Sequence, residues 1–184
     1  MNRLIIAAGL LAVFVSGSCA LANGRPAAFP KGTLTLQTYA TYAGGIDADS
    51  DFGSAAFGAG YYVWDNVSLS LEASGYRVFQ SSHDAWAYGI AGVLRHHIIQ
   101  FDRTTIYADV AFGPVEATRH VPEGGTNFNF ITRAGLGATY QIRDRLNMIG
   151  GVRYFHLSNA RLEGSAKNPS INGVEGYVGL MWSL

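Results

Sequence analysis

Through much of the chain, apolar and polar positions alternate with a period of two, the spacing of a strand with one face on each side of a sheet. Residues 66–76, NVSLSLEASGY, show it most clearly: Val67, Leu69, Leu71, Ala73 and Gly75 fall on one face, and Ser68, Ser70, Glu72 and Ser74 on the other. Residues 128–141 repeat it, with Phe130, Ala134, Leu136 and Ala138 opposed to Asn129, Arg133, Thr139 and Gln141. In residues 104–113, Ile106, Val110 and Phe112 oppose Asp109. The pattern predicts eight strands, over residues 33–44, 54–64, 67–79, 85–99, 104–113, 128–141, 145–157 and 173–183.

The charged faces decide what surrounds these strands. Glu72, Arg95, Asp109, Arg133 and Arg153 place about one charge on each of several strands, which fits a small barrel with an ion-paired lumen and an outward apolar belt. A secreted soluble barrel with an apolar interior is the alternative. Connection lengths favour the membrane. Short turns fall at residues 64–66, 100–103 and 142–145, and longer polar loops at 44–53, 79–85, 113–127 and 158–172; outer-membrane barrels put short turns in the periplasm and long loops outside. The expected fold is therefore all-β, an eight-stranded antiparallel transmembrane β-barrel, with the seventh strand ending at the cell surface and the eighth beginning there.

Residues 1–22 add an address to that fold. Arg3, the apolar run LIIAAGLLAVFV and the small-x-small sequence Ala20–Leu21–Ala22 read as a cleaved secretory signal peptide, which leaves residues 23–184 as one barrel domain in the Gram-negative outer membrane. A lipidated Cys19 is the rival reading. The segment would remove the chain's one cysteine and one of its 13 basic residues, leaving 12 against 13 acids. No disulfide framework or cysteine nucleophile is then available, and the near-neutral balance argues against a nucleic-acid partner.

Candidate chemistry concentrates in residues 154–177, YFHLSNARLEGSAKNPSINGVEGY. If Arg153 faces the lumen, His156 and Ser158 face outward, two positions apart on one strand face and within reach of each other. A serine beside an imidazole base is the arrangement that makes a weak alcohol attack an ester, provided a third group orients the ring. Glu175, across the hairpin, is the natural third member. Strict alternation would turn it inward behind Val174 and Val178, although a bulge at Gly173 or Gly176 would re-aim it.

The HLSNA segment, His156 to Ala160, followed by NPSINGVEGY with Glu175, resembles the outer-membrane lipid A 3-O-deacylase family, PagL. The resemblance is specific over residues 154–177 and elsewhere extends only to the leader, the chain length and the eight-strand pattern. It implies a barrel with a Ser-His-Glu triad on its outer face that removes the ester-linked 3-hydroxyacyl chain of lipid A, without metal or organic cofactor. Ser158 would be the nucleophile, His156 the base and then acid, and Glu175 the orienting carboxylate. Asn159, Asn172 and Gly173 are the candidate oxyanion or substrate-positioning groups. Gly150, Gly151 and Gly179 would leave a lipid-side groove for the acyl chain, and Arg161 and Lys167 would meet lipid A phosphates.

Two rivals remain. An outer-membrane phospholipase A also uses a His-x-Ser pair, but with more strands, calcium and an asparagine as third member; eight strands and Glu175 argue against it. A non-catalytic small barrel leaves the outward polar pair without a physical account. A homodimer is left open. Of the other histidines, His96 and His97 are adjacent and so face opposite ways, and His83 and His120 fall in loops. Asp47, Asp49 and Asp51 resemble a calcium loop but lack its spacing and terminal glutamate.

Overall fold

A computed structural model describes residues 27–46, 49–164 and 167–184. The expected signal peptide lies outside the described residues. Eight antiparallel strands close into a barrel in chain order: β1 (Leu34–Gly45), β2 (Ser50–Trp64), β3 (Val67–Gln80), β4 (Ala85–Gln100), β5 (Thr104–Val121), β6 (Thr126–Arg143), β7 (Leu146–Ser158) and β8 (Ile171–Ser183). Closure leaves no strand edge unpaired, which is the condition for crossing hydrocarbon with strands. At one end the turns are tight. Asp65–Asn66 joins β2 to β3, with Asn66 at φ 62°, and Asp144–Arg145 joins β6 to β7, with Arg145 at φ 67°; positive φ at such positions matches the twist of the flanking strands.

Strand positions agree with the alternation, and the ends differ most at two places. β2 begins at Ser50, so Asp51 is a strand residue. β5 runs to Val121, so most of the expected 113–127 loop is hairpin, with only residues 122–125 as the turn. Gly113 and Pro114 read as breakers, yet Gly113 is where β4 comes closest: a Cβ there would lie 1.9 Å from the Ile90 carbonyl oxygen. Beyond it, Val115, Ala117 and Val121 point inward and extend the core.

The inward face is layered. Toward the longer loops it is apolar, filled by Phe52, Val78, Val121, Ile131, Phe155 and Ile171 among others. Toward the tight turns, Phe29, Tyr62, Tyr107, Ile149 and Met181 fill it. Between these layers lie the charges. Arg153 meets Asp109 at 2.6 Å and Glu175 at 3.4 Å; Arg95 meets Asp109 at 3.2 Å; Arg133 meets Glu175 at 3.3 Å. Glu72 accepts hydrogen bonds from Gln37 and from the Tyr39 hydroxyl, each at 2.5 Å. The lumen is ion-paired as expected, but only in its middle; the loop end is filled by apolar side chains, and the tight-turn end by an aromatic cluster with hydrogen-bonded polar groups such as His97 and Thr105 among it.

The outward face is apolar, with Leu69, Leu71, Ile90, Phe112, Leu136, Val152 and Val178 all exposed. Trp64, Tyr61, Tyr140 and Trp182 girdle the tight-turn end, and Tyr42, Phe79, Trp86, Tyr88 and Tyr154 the other, the arrangement by which membrane barrels seat their belts at two interfaces.

The ion network generates a stability prediction. Glu175→Gln leaves Arg133 without its acid and Arg153 with one acid fewer, in the buried middle of the lumen. Breaking a buried pair in this way costs about 3 kcal/mol, read as a lower urea midpoint for unfolding in detergent micelles.

Candidate active site

β7 and β8 pair in continuous register from Leu146 opposite Trp182 to Leu157 opposite Ile171, with no bulge. Arg153 therefore stands opposite Glu175, both inward, and His156 stands opposite Asn172, both outward. His156 and Ser158 are brought together as expected: Nε2 lies 2.9 Å from the serine Oγ. Ser158 is only 8% exposed and His156 is half-buried, so the pair sits at the loop end of β7.

The third position is not filled by the expected residue. Glu175 lies in the lumen, 2% exposed, on Arg153 and Arg133, with the barrel wall between it and the imidazole. Alternation holds through Gly173 and Gly176, because the guanidinium groups inside supply the counter-charge that hydrocarbon does not. The Nδ1 of His156 instead meets the Asn172 side-chain oxygen at 2.8 Å. That oxygen also accepts the Tyr154 hydroxyl at 2.6 Å. An amide oxygen only accepts, so Nδ1 carries the ring hydrogen and the neutral imidazole turns its Nε2 lone pair to the serine hydroxyl. Tyr154 holds the amide from the far side.

Asn159 is tied into the loop. Its backbone N–H donates to Asn168 Oδ1 at 3.0 Å, its side-chain nitrogen to Thr126 Oγ1 and the Lys167 carbonyl at 3.1 and 2.7 Å, and its Oδ1 accepts the Arg161 N–H at 2.9 Å. With each of its donors engaged, Asn159 shapes the loop rather than offering an oxyanion donor. It does so through a reversal in which Ala160 and Arg161 both take positive φ, 53° and 65°. Gly173 faces inward, where a Cβ would lie 2.5 Å from the Phe155 ring and 2.3 Å from the Gly44 carbonyl oxygen, so glycine is there for packing.

Of the glycines expected to form a groove beside the site, Gly151 and Gly179 face inward. Side chains at Gly151 and Gly179 would run into the Leu136 carbonyl and the Tyr39 backbone, respectively, on the inner face. What flanks the serine is aromatic. Phe130 is the cross-strand partner of Ser158, stacks on Phe112 with centroids 5.5 Å apart and meets Phe128 edge-on at 5.2 Å. Alternation gave the outward direction of Phe112 and Phe130, whereas their adjacency to Ser158 depends on register.

The remaining candidates are dispersed. His97 bonds Tyr62 and Thr105 inside the barrel, and His83 bonds Ser82. Asp51 accepts the Tyr42 hydroxyl, Asp49 accepts Ser81, and Asp47 lies outside the described residues. Among the described residues, no group of three or more His, Cys, Asp or Glu is placed to hold a metal ion. Lys167 pairs with Glu163 at 3.5 Å, both exposed.

A family model described as lipid A 3-O-deacylase (PagL) matches residues 35–181. The chain belongs to the PagL family. Lipid A 3-O-deacylation in the outer membrane is accordingly its function, and the match spans every strand. Three solved structures agree on the fold. Neisserial surface protein A is 14% identical, with 82% of this chain and 95% of that one covered at a TM-score of 0.62. The outer membrane protein OprG from Pseudomonas aeruginosa is 10% identical over 85% and 97%, at 0.54. The outer membrane enzyme PagL is 16% identical over 79% and 97%, at 0.53. No curated protein matches in sequence.

Two substitutions separate the acids from the amides. Asn172→Ala removes the Nδ1 acceptor and should lower kcat for lipid A deacylation roughly 100-fold, within the range spanned by general acid–base contributions. Glu175→Gln should leave the folded fraction's kcat within a few fold. Equal losses in single-turnover assays normalised to folded protein would put the carboxylate back into the reaction.

Proposed function

We propose that PagL-type deacylation in this protein is carried by Ser158, His156 and Asn172, a serine-histidine-asparagine set on the outer wall of the barrel. The observation that carries it is the unbroken hydrogen-bonded line from Ser158 Oγ through His156 to the Asn172 oxygen, outward-facing at the loop end of β7. In outline, Nε2 takes the hydroxyl proton as Ser158 Oγ adds to the carbonyl carbon of the 3-hydroxyacyl ester. The tetrahedral intermediate collapses by breaking the bond to the sugar oxygen, which leaves with the proton His156 returns. A water, deprotonated by the same nitrogen, then attacks the acyl-serine ester and releases the 3-hydroxy fatty acid.

Asn172 supports this by fixing the tautomer and the ring plane. Because it is neutral, it gives the imidazolium formed in the transition state a dipole rather than a full charge. Residues 1–22 are proposed as the export signal that brings the chain to the outer membrane. With the longer loops outside, Ser158 faces the outer leaflet, where lipid A esters lie just below the sugar.

An asparagine beside the histidine is also what the phospholipase reading requires. Incubation with phospholipid, with and without a chelator, separates the two: calcium-dependent release of phospholipid fatty acid favours the phospholipase. For the deacylase, the decisive test is mass spectrometry of lipid A from cells expressing the protein. Wild type should remove the mass of one 3-hydroxyacyl group from position 3. Ser158→Ala should remove none while migrating as a folded, heat-modifiable barrel; retained release would take Ser158 out of the mechanism.

A further inference from the structure

On the outer wall, away from Ser158, the surface is indented rather than smooth. A groove of about 680 Å³ crosses β3 to β6, floored by Ala73, Gly75 and Gly89 and walled by Tyr88, Pro114 and Phe128. Its lining is almost entirely carbon, and it runs from the apolar belt at Ile90 to the girdle at Tyr88. At its loop end it passes into a second, polar hollow of about 350 Å³, among His120, Asn127 and Lys167, with Glu116 and Phe128 lining both.

Two contacts join this pair of hollows to the serine. Phe128 meets Phe130, which is the cross-strand partner of Ser158. Thr126, which lines the polar hollow, accepts from Asn159, the residue after the serine. Glu163 and Lys167, in the loop that follows Ser158, complete the polar rim. A trough of hydrocarbon below and polar groups above, opening toward the ester-cleaving site, has the shape of an amphiphile.

We propose that this groove binds a second acyl chain, one that is not cleaved, of the same lipid A molecule whose ester sits at Ser158, with polar headgroup atoms in the upper hollow. The inference rests on the catalytic reading above and deepens it. Hydrocarbon is the matter that reaches a carbon-lined groove on the membrane side, and continuity with the loop that follows Ser158 favours a chain of the substrate over an unrelated lipid. The site then orients the substrate: a lipid with one chain in the groove presents its ester at a fixed distance along the barrel wall, and a single-chain ester has no such anchor.

Gly75 provides the test, because a Cβ there would meet nothing nearer than the Tyr88 ring at 3.9 Å, and a side chain enters the groove without moving backbone. Gly75→Phe should raise KM for multiply acylated lipid A about tenfold, equivalent to roughly 1.4 kcal/mol of lost chain burial, and leave kcat in place. Val178→Phe, on the exposed wall of β8, should leave KM unchanged. An unchanged KM in folded Gly75→Phe, or an equal rise in Val178→Phe, overturns the proposal.

A second measurement does not depend on turnover. p-Benzoylphenylalanine in place of Tyr88, in a Ser158→Ala background, should capture lipid A from outer-membrane vesicles on irradiation, and mass spectrometry should show an adduct on an acyl chain. Capture of phospholipid alone overturns the assignment. If Ser158→Ala retains deacylation, the catalytic reading fails, and capture at Tyr88 still reports on the groove.

Discussion

Arg153 facing Glu175 across the last hairpin decides which side of the wall each residue of β7 and β8 occupies. Side chains alternate with a period of two, and the register between these strands is unbroken, so one inward pair fixes the parity of both. With Arg153 fully buried against Asp109 and Glu175, the residues three positions away, His156 and Asn172, must lie outside. A slip of one residue would exchange the faces and carry guanidinium and carboxylate into lipid, at a cost of several kcal/mol even by the lenient scales for charges at membrane depth. The hydrogen bond between His156 and Asn172 is thus held in place by an interaction that lies on the other side of the barrel wall.

Alternation alone made the architecture legible, because each face of a barrel strand meets a different solvent. Strand ends were harder. Gly113 and Pro114 carry the composition of a loop, yet β5 continues past them because its later inward residues complete the apolar layer near the long loops. The layering of the lumen was likewise out of reach: the charges of Glu72, Arg95, Asp109, Arg133 and Arg153 gave the inward face, but the clusters above and below them are assembled from residues of all eight strands.

At the site, the spacing His-x-Ser was sufficient for the pair, since i and i+2 share a face whatever the register. The third member was not, because its identity depends on which residue of β8 stands opposite His156. Motif spacing pointed to Glu175; register points to Asn172, three residues earlier and on the opposite face. The same limit applies to Asn159, whose place directly after the serine suggested an oxyanion donor. Its hydrogen bonds show that the sharp reversal at Ala160 and Arg161, with both residues at positive φ, draws on that side chain to hold the loop together after Ser158. Strain of this kind persists only where surrounding bonds over-determine it.

An amide at this position also suits its surroundings better than a carboxylate would. The outer wall near the interface offers few counter-charges, and an ionised acid there would lose hydration with little in return. Inside, Arg95, Arg133 and Arg153 pair with Asp109 and Glu175, and Glu72 accepts from Gln37 and Tyr39, so carboxylates are compensated where they stand. The chain thus divides its acceptors by solvent: charged ones in the sealed lumen, a neutral one on the lipid side. An amide oxygen costs less to expose to a low dielectric, and the Tyr154 hydroxyl, itself part of the aromatic girdle, both satisfies its second lone pair and prevents its rotation. Removing that hydroxyl as Tyr154→Phe keeps the girdle's hydrocarbon but frees the amide to turn its nitrogen toward Nδ1. The imidazole would then place its hydrogen on Nε2 and lose its ability to accept from Ser158. A fall in kcat with unchanged KM is the expected signature, because the tyrosine acts through the tautomer and not through the substrate; a rise in KM alone would make Tyr154 a lipid contact instead.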